Sequence, residues 1–305
     1  MEIIRSLDFN LNKTAVCIGK FDGIHKGHRL LIQKARETGL PVVMFTFQMD
    51  QPTGIYTPEE KVLLAESAGV DILITITVTE EFMHMSAYDF IDDILCSRCG
   101  AREVFVGEDF AFGYQRSGTA AMLKAVGPQY GFVTNVFPKL RVEDKEVSST
   151  RIRGEISQGN MELVGELMAT PYFIRGQVVS GNQIGRTIDV PTANILLPEG
   201  KILPPQGVYA VFLEHGGKVF KGVGNLGTKP TISGQNPLGL EISIFDFHED
   251  IYGEEITVYL TYYIRPEEKF DSLEELRMQI EADQMIAEDI LAEQETEGSY
   301  IFLNK

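Results

Sequence analysis

The sequence has no tryptophan, only three cysteines among its 305 residues and a shortage of basic side chains. An odd and small set of cysteines argues against a disulfide framework. Lys and Arg number 27 against 44 Asp and Glu, and the resulting formal net charge of −17 argues against a broad nucleic-acid or anionic-membrane surface. No apolar run approaches the ~20 residues that span a bilayer, and the first residues lack the layout of a signal peptide. We therefore expect a cytoplasmic protein that binds neither nucleic acid nor membrane.

The composition is that of a folded protein with enough apolar material for packed cores. Hydrophobic residues make up 44% of the chain and aromatic residues 10%. At about 150 residues per domain, the length predicts two domains. The sequence pattern changes character close to residue 168, and the predicted domains are 1–168 and 169–305.

The first half of the chain alternates short apolar runs with helix-like stretches. Its predicted strands are Ala15–Ile18, Pro41–Phe47, Asp71–Ile76, Glu103–Val106 and Phe132–Phe137. Its predicted helices are His28–Thr38, Pro58–Ala68, Ser86–Cys96 and Ala120–Val126. This alternation predicts an α/β domain with a doubly wound parallel sheet, on which ligands bind at the carboxyl ends of the strands.

The second half is dominated by strand-like runs that glycine, proline and asparagine separate. These runs are Phe173–Val179, Gly207–Leu213, Lys218–Leu226, Leu240–Phe245 and Glu255–Arg265. They predict an antiparallel barrel or sandwich. A helix from Ser272 to about residue 294 is predicted to close the chain, with a capping box at its start.

The stretch from Gly19 to His28 lies between the first buried strand and the first helix. Glycines there allow the backbone to approach an anion closely, and the helix start offers free N–H groups and the positive end of a dipole. Two histidines spaced i and i+3 can donate hydrogen bonds to phosphate oxygens from one face of the first turn. The alternative is a purely structural turn. The candidate phosphate-binding residues are Gly19, Phe21, Asp22, Gly23, His25, Gly27 and His28.

A second loop, Gly107–Gly118, follows a later strand of the same predicted sheet. Asp109 can accept a hydrogen bond from a ring or ribose donor, and Phe110 and Phe112 can flank a flat ring system. The alternative is that the two phenylalanines belong to the core, where aromatic residues usually lie.

A third segment, Ser148–Arg153, opens a helix with three hydroxyls and two guanidinium groups. This pattern predicts a second phosphate-binding turn. The alternative is an ordinary helix cap with solvated arginines. The candidate residues are Ser148, Ser149, Thr150 and Arg151.

Together the three segments resemble the N-terminal module of the bacterial bifunctional riboflavin kinase/FAD synthetase family. The resemblance implies a nucleotidyltransferase domain that moves AMP from ATP to FMN and releases pyrophosphate. It implies that His25 and His28 bind the ATP phosphates and that the segment beginning at Ser148, with Arg151, holds the triphosphate from the other side. The flavin would contact the loop that contains Asp109.

The second half contains three motifs, Pro191-Thr192-Ala193-Asn194, Asn225–Thr231 and Leu240–Phe247. They resemble the flavokinase module of the same family, with Glu241 in the position of the general base. The resemblance implies transfer of the γ-phosphoryl group of ATP to the 5′-hydroxyl of riboflavin. Thr192 and Asn194 carry hard oxygen ligands that suit Mg²⁺ and the ATP phosphates. The further residues implied are Gly185 and Arg186 at ATP, and Asn225, Gly227 and Thr231 at the flavin.

The resemblance spans most of the chain and implies riboflavin, FMN, FAD, ATP and ADP as substrates and products, with Mg²⁺ as the metal. The chain departs from the family pattern at two places. Gln48–Gln51 stands where the family usually has a histidine between prolines, and Asp189-Val190 stands where it usually has Gly-Phe. Two alternatives therefore remain: a relative with only one active module, and a flavin-binding regulator without turnover.

Overall fold

The computed structural model describes residues 1–48, 53–179, 192–228 and 238–296. Two compact units divide the chain, Met1–Ser149 and Thr150–Lys305. The predicted domain boundary at residue 168 lies two helices later in the chain than this division. The boundary stays a prediction.

Among the described residues, a parallel sheet of six strands forms the centre of the first unit. Its strands are β1 (Glu2–Ile4), β2 (Thr14–Ile18), β3 (Val42–Gln48), β4 (Ile72–Thr77), β5 (Ala101–Gly107) and β8 (Val133–Phe137). They lie in the order β1-β4-β3-β2-β5-β8, and every neighbouring pair is parallel. The predicted doubly wound sheet is confirmed, and its strand order reverses between β2 and β5. Ligands bind such sheets at that reversal, outside the carboxyl ends of the strands.

Helices connect the strands of this sheet. They are α1 (Lys26–Arg36), α2 (Pro58–Ser67), α3 (Glu80–Met83), α4 (Ala87–Asp89) and α5 (Ala120–Tyr130). The start of α2 shows the local signals that predict where a helix begins. Thr57 caps the helix through a complete capping box with Glu60, and proline occupies the first turn.

The core of the first unit accounts for the apolar strand sequences. Every residue of β2 is buried, and so are Val43, Met44 and Phe45 of β3. Strands covered on both faces lose the alternation of apolar and polar residues and become continuous apolar runs. The centre of the sheet was predictable for that reason.

Some elements differ from the sequence prediction. The expected helix from Ser86 consists of α4 followed by a π-helical segment, Phe90–Arg98. The edge strand β1 is too short to show a pattern. Two small hairpins were also missed, β6 (Ala111–Phe112) with β7 (Gly118–Thr119), and β9 (Arg141–Val142) with β10 (Lys145–Glu146).

In the described part of the second unit, six strands close into an antiparallel barrel. They are β11 (Tyr172–Val179), β12 (Thr192–Leu196), β13 (Gly207–His215), β14 (Lys218–Thr228), β15 (Leu238–Ile244) and β16 (Glu255–Arg265). The order around the barrel is β11-β12-β15-β14-β13-β16. Two helices precede it, α6 (Ser149–Gln158) and α7 (Met161–Met168), and α7 packs on β11 and β16. The predicted barrel is confirmed, and the sandwich alternative is wrong.

The last described helix, α8 (Leu273–Thr296), lies against the barrel. Ala287 and Leu291 join a buried apolar cluster with residues of β13 and β14. Asp283, only 3% exposed, faces the Arg265 guanidinium side-on, and its shortest hydrogen bonds are 2.9 Å from Nε to Oδ1 and 2.7 Å from Nη2 to Oδ2. Two parallel bonds of this kind fix orientation as well as distance, so the pair sets the position of α8 on the barrel.

Among the described residues, no helix combines the length and apolar composition needed to cross a membrane.

We expect Asp283→Ala to loosen α8, because it leaves the half-buried Arg265 guanidinium without its carboxylate. Breaking a buried pair on one side costs about 3 kcal/mol, which corresponds to a roughly 100-fold larger population of the locally open state. Amide hydrogen exchange of residues 273–296 measures this opening. Asp289→Ala, an exposed substitution on the same helix, is the matched control. Equal exchange rates in the two variants would show that the ion pair does not hold α8.

Candidate active sites

The first site lies in the turn that joins β2 to α1, next to the reversal of strand order. Phe21 and Ile24 both have left-handed backbone with φ of +45°, and Gly23 has φ of +94°. Such a backbone costs a non-glycine residue about 1–3 kcal/mol. The side chains of Phe21 and Ile24 are completely buried, and burial of large apolar side chains offsets a cost of that size.

Contacts from distant segments hold this turn. The Asp22 carboxylate accepts a hydrogen bond from the Ile55 N–H at 2.9 Å, and the Asp22 carbonyl accepts one from the Ser149 hydroxyl at 2.8 Å. The Thr46 hydroxyl donates to the Lys20 carbonyl at 2.8 Å. The Asp22 side chain therefore ties the turn to the segment just before α2.

His25 and His28 meet at the start of α1. His25 caps the helix, and its Nδ1 accepts a hydrogen bond from the His28 N–H at 3.4 Å. The rings stack with centroids 3.7 Å apart and planes 16° apart. Because Nδ1 of a neutral His25 accepts that bond, its proton lies on Nε2, which is then a donor. His28 Nδ1 is buried without a hydrogen-bond partner among the described residues.

Two glycines of the predicted motif have separate roles in this turn. A Cβ at Gly27 would lie 3.2 Å from the ring of His25, which is tighter than nine in ten natural Cβ contacts. The Gly19 N–H donates to the Phe45 carbonyl at 3.2 Å and extends the pairing of β2 with β3. Gly27 therefore leaves room for the His25 ring, and Gly19 extends the sheet into the turn.

Burial keeps both imidazoles neutral near physiological pH. It lowers the pKa of His25 to about 4, against the weaker opposing effects of its backbone hydrogen bond, Asp22 and Asp109. Burial also places the pKa of His28 well below its usual value, and the neighbouring His25 and Lys61 lower it further. The pair can therefore donate hydrogen bonds to phosphate without carrying charge.

Two cations near this pair were missed from the sequence. Burial lowers the pKa of Lys61, on α2, and of Arg29, which follows His28 on α1. Among the described residues neither side chain forms an ion pair, and Arg29 Nε is buried without a hydrogen-bond partner. A basic residue directly after His28 was a usable signal. No sequence signal indicated Lys61, because its position near the histidines depends on how α2 packs beside the turn.

The loop after β5 brings together only part of the predicted flavin contacts. Asp109 is exposed and its carboxylate lies 3.3 Å from Lys139 Nζ. Phe110 and Phe112 stack with centroids 5.5 Å apart. Phe112 is only 6% exposed, and its ring packs on Phe90 within the core. Asp109 and Phe110 are the more accessible members, and a flavin role for this loop stays a prediction.

The predicted phosphate segment at Ser148 crosses the division between the units. Ser149 contacts the turn through Asp22, as described, and Ser148 is half-buried beside it in the chain. Thr150 and Arg151 fall in the second unit. Within that unit Arg151 Nε lies 3.7 Å from a carboxylate oxygen of Glu155, one turn further along α6.

The second site is built on neighbouring strands of the barrel. Glu241 on β15 lies directly opposite Asn194 on β12 and Asn225 on β14. The Thr192 hydroxyl donates to Glu241 Oε1 at 2.5 Å. Opposite residues of antiparallel strands share one face, so the register alone gathers these predicted residues around one carboxylate.

A cavity of about 920 Å³ opens beside this carboxylate. Thr192, Asn225 and Glu241 line its barrel side, and Phe270 and Leu276 line the side formed by α8 and the segment before it. A large pocket with apolar walls and a few convergent polar groups is typical of a small-molecule site.

Glu267 is a cavity residue that the sequence did not predict. Asn225 Nδ2 donates to Glu267 Oε1 at 3.3 Å. A Cβ at Gly227 would lie 1.8 Å from the same oxygen, so this glycine leaves room for the carboxylate. The contact joins β14 to the segment after β16. No local sequence pattern predicts a contact between segments so far apart in the chain.

Several predicted positions lie outside the described residues. They are Gly185, Arg186 and Thr231, together with the departures at Asp189-Val190 and within Gln48–Gln51 beyond residue 48.

Comparison with known proteins gives matches over both units. Residues 8–151 match the sequence model of the FAD synthetase family, and residues 168–291 match that of riboflavin kinase. A Haemophilus influenzae protein named bifunctional riboflavin kinase/FMN adenylyltransferase is 36% identical, with 93% of this chain and 97% of that protein covered. A Bacillus subtilis protein of the same name is also 36% identical, with 90% and 92% covered.

A solved structure shows the same arrangement of elements. It is a Streptococcus pneumoniae protein described as a macrolide-efflux protein, with a TM-score of 0.81 and 32% sequence identity. The superposition covers 94% of this chain and 98% of the other.

We expect His25 to titrate far below the ordinary histidine value of about 6.5. Nitrogen-detected NMR should show the Nε2–H tautomer, with a pKa of about 4, and His25→Asn identifies the signal by removing it. Between about pH 6.5 and 4 the unfolded chain binds more protons, so this group makes stability fall as the pH falls through that window. A His25 signal that titrates near 6.5 would contradict the burial of the pair.

Proposed function

This chain belongs to the bifunctional riboflavin kinase/FMN adenylyltransferase family, and on that premise we propose which residues carry out each of its two reactions. The protein is an enzyme that makes FMN from riboflavin and ATP and makes FAD from FMN and ATP, with the FAD synthetase part in the first half and the kinase part in the second. The two alternatives, a single active module and a regulator without turnover, find no support in these matches.

In the first unit we assign His25 and His28 to the phosphates of ATP. An oxygen of the FMN phosphate attacks the α-phosphorus, the bond from that phosphorus to the bridging oxygen breaks, and pyrophosphate leaves. Nothing in this step needs a covalent enzyme intermediate, so positioning and electrostatics carry the catalysis. The stacked pair at the start of α1 is the observation that carries this assignment. The proposed backbone contributors are Gly19, Phe21, Asp22, Gly23 and Gly27.

We assign Ser148, Ser149, Thr150 and Arg151 to the triphosphate, and the loop after β5 to the flavin. Asp109 can accept a hydrogen bond from the flavin once Lys139 gives way, because the carboxylate is exposed. Phe112 lies in the core, so its proposed role is to hold Phe110 through the stacked contact.

In the second unit Glu241 is the proposed general base for the 5′-hydroxyl of riboflavin. The Thr192 hydroxyl, 2.5 Å from Glu241 Oε1, orients the carboxylate. The hydroxyl oxygen of riboflavin then attacks the γ-phosphorus, and ADP leaves. The cavity beside Glu241, which Asn225 lines, is the proposed flavin site, with Gly227 and Thr231 as further contacts.

The donor set near Glu241 fits the Mg²⁺ that this chemistry requires. Thr192 and Asn194 offer hydroxyl and amide oxygens on one face of β12, beside a carboxylate, and Mg²⁺ prefers such oxygen ligands together with substrate phosphates. The metal would offset the charge of the ATP phosphates. We propose Thr192 and Asn194 as its protein ligands, Gly185 and Arg186 as further ATP contacts, and the cytoplasm, which supplies ATP, as the location.

Two substitutions should separate the reactions. His28→Ala removes a hydrogen-bond donor at the ATP phosphates and should slow FAD formation at least about 100-fold while sparing FMN formation. Glu241→Gln removes the base and should slow FMN formation by a similar factor while sparing FAD formation from added FMN. Chromatography of the flavins after incubation with ATP and Mg²⁺ measures both rates.

His84→Ala and Glu288→Gln, at exposed positions outside both sites, are the controls. Loss of both activities in either folded active-site variant would overturn the division of roles. Absence of both products with the unchanged protein would overturn the function itself.

A further inference from the structure

The two stacked histidines carry no positive charge of their own. The rings lie 3.7 Å apart, and His25 is 8% exposed. Two imidazolium ions at that distance repel each other, and the positive end of α1 lies beside them. Asp22 and Asp109 favour a charged ring only weakly against burial, and the Asp109 carboxylate is already paired with Lys139.

The reaction nevertheless builds negative charge at this place. As the bond from the α-phosphorus breaks, its electron pair passes to the pyrophosphate oxygen. Neutral donors can orient that oxygen, but they do not balance its charge. A charged donor makes a shorter and roughly twice as strong hydrogen bond.

Lys61 is the lysine placed to supply that charge. It lies in the first turns of α2, where its N–H donates to the Thr57 carbonyl at 2.9 Å. Ile55, three residues before α2, donates its N–H to Asp22, and this bond holds the start of the helix beside the histidine turn. The charge of Lys61 acts on His28, and that of Asp22 acts on Lys61.

Lys61 also differs from other lysines of the chain in its ion pairing. Lys34, Lys139 and Lys221 all form ion pairs with carboxylates. Lys61 is half-buried and forms none among the described residues. A partly desolvated cation without a partner gains most when an anion enters the site.

We propose that Lys61 supplies the fixed positive charge that holds the leaving pyrophosphate, while His25 and His28 act as neutral hydrogen-bond donors. This proposal rests on adenylyl transfer in the first unit. No proton leaves Lys61 in the step, since pyrophosphate departs with the electron pair of the broken bond. Burial lowers the pKa of Lys61 from its ordinary value, so the charge is lost on the alkaline side at a lower pH than for an exposed lysine.

Substitution of Lys61 tests the proposal in the full-length protein. With FMN and ATP as substrates, Lys61→Gln should lower kcat/KM for FAD formation roughly 10- to 100-fold, the effect of losing one charged hydrogen bond. It should weaken product inhibition by pyrophosphate by a similar factor and leave FMN formation from riboflavin unchanged. Lys34→Gln, which removes the same charge from a partly exposed site near the end of α1, is the matched control.

The pH profile separates a charge from a merely structural role. Lys61→Arg should restore most of the rate and move the alkaline limb of FAD formation to higher pH, because guanidinium does not titrate there. The ionisable groups that act on Lys61 or His28 are Asp22, His25 and each other, and Lys61→Arg leaves them in place. An unmoved limb, or Lys61→Gln rates equal to those of Lys34→Gln while the unchanged protein makes FAD, would overturn the proposal. No FAD from the unchanged protein would instead refute adenylyl transfer.

Discussion

The first site depends on one constrained passage of the backbone, from β2 through left-handed residues into α1. Phe21 and Ile24 keep that conformation because their side chains are buried in the core. Asp22 ties the passage to Ile55 and Ser149. The histidine rings stack where the passage ends. The same burial that fixes the turn also keeps these rings neutral, so positive charge at the site must come from other side chains.

The second site is organised by strand register instead. Asn194, Glu241 and Asn225 lie side by side because β12, β15 and β14 are antiparallel neighbours, and a slip by one residue would turn each side chain to the other face of its strand. Thr192 then orients the carboxylate. The two arrangements suit the different chemistry that we propose for them: the first would position a phosphate chain, and the second would orient a base beside a hydroxyl.

The sequence was informative where structure depends on local pattern. The continuous apolar run of β2, the cap at Thr57 and the motif around Glu241 each predicted their element or site. Local pattern says little about contacts between distant segments. The approach of Lys61 to His28 and of Glu267 to Gly227 depends on tertiary packing. Phe112 shows the same limit, since an aromatic residue in a loop motif serves equally well as a ligand contact or as part of the core.

The central claim is that the two units direct their flavin substrates to different phosphorus atoms of ATP. Incubation of the protein with riboflavin and ATP radiolabelled at either the α- or the γ-phosphate tests it most directly, with the flavins separated by chromatography. The account predicts that γ-labelled ATP labels FMN and FAD, whereas α-labelled ATP labels FAD alone. Label from the α-phosphate in FMN, or FAD without it, would contradict the account.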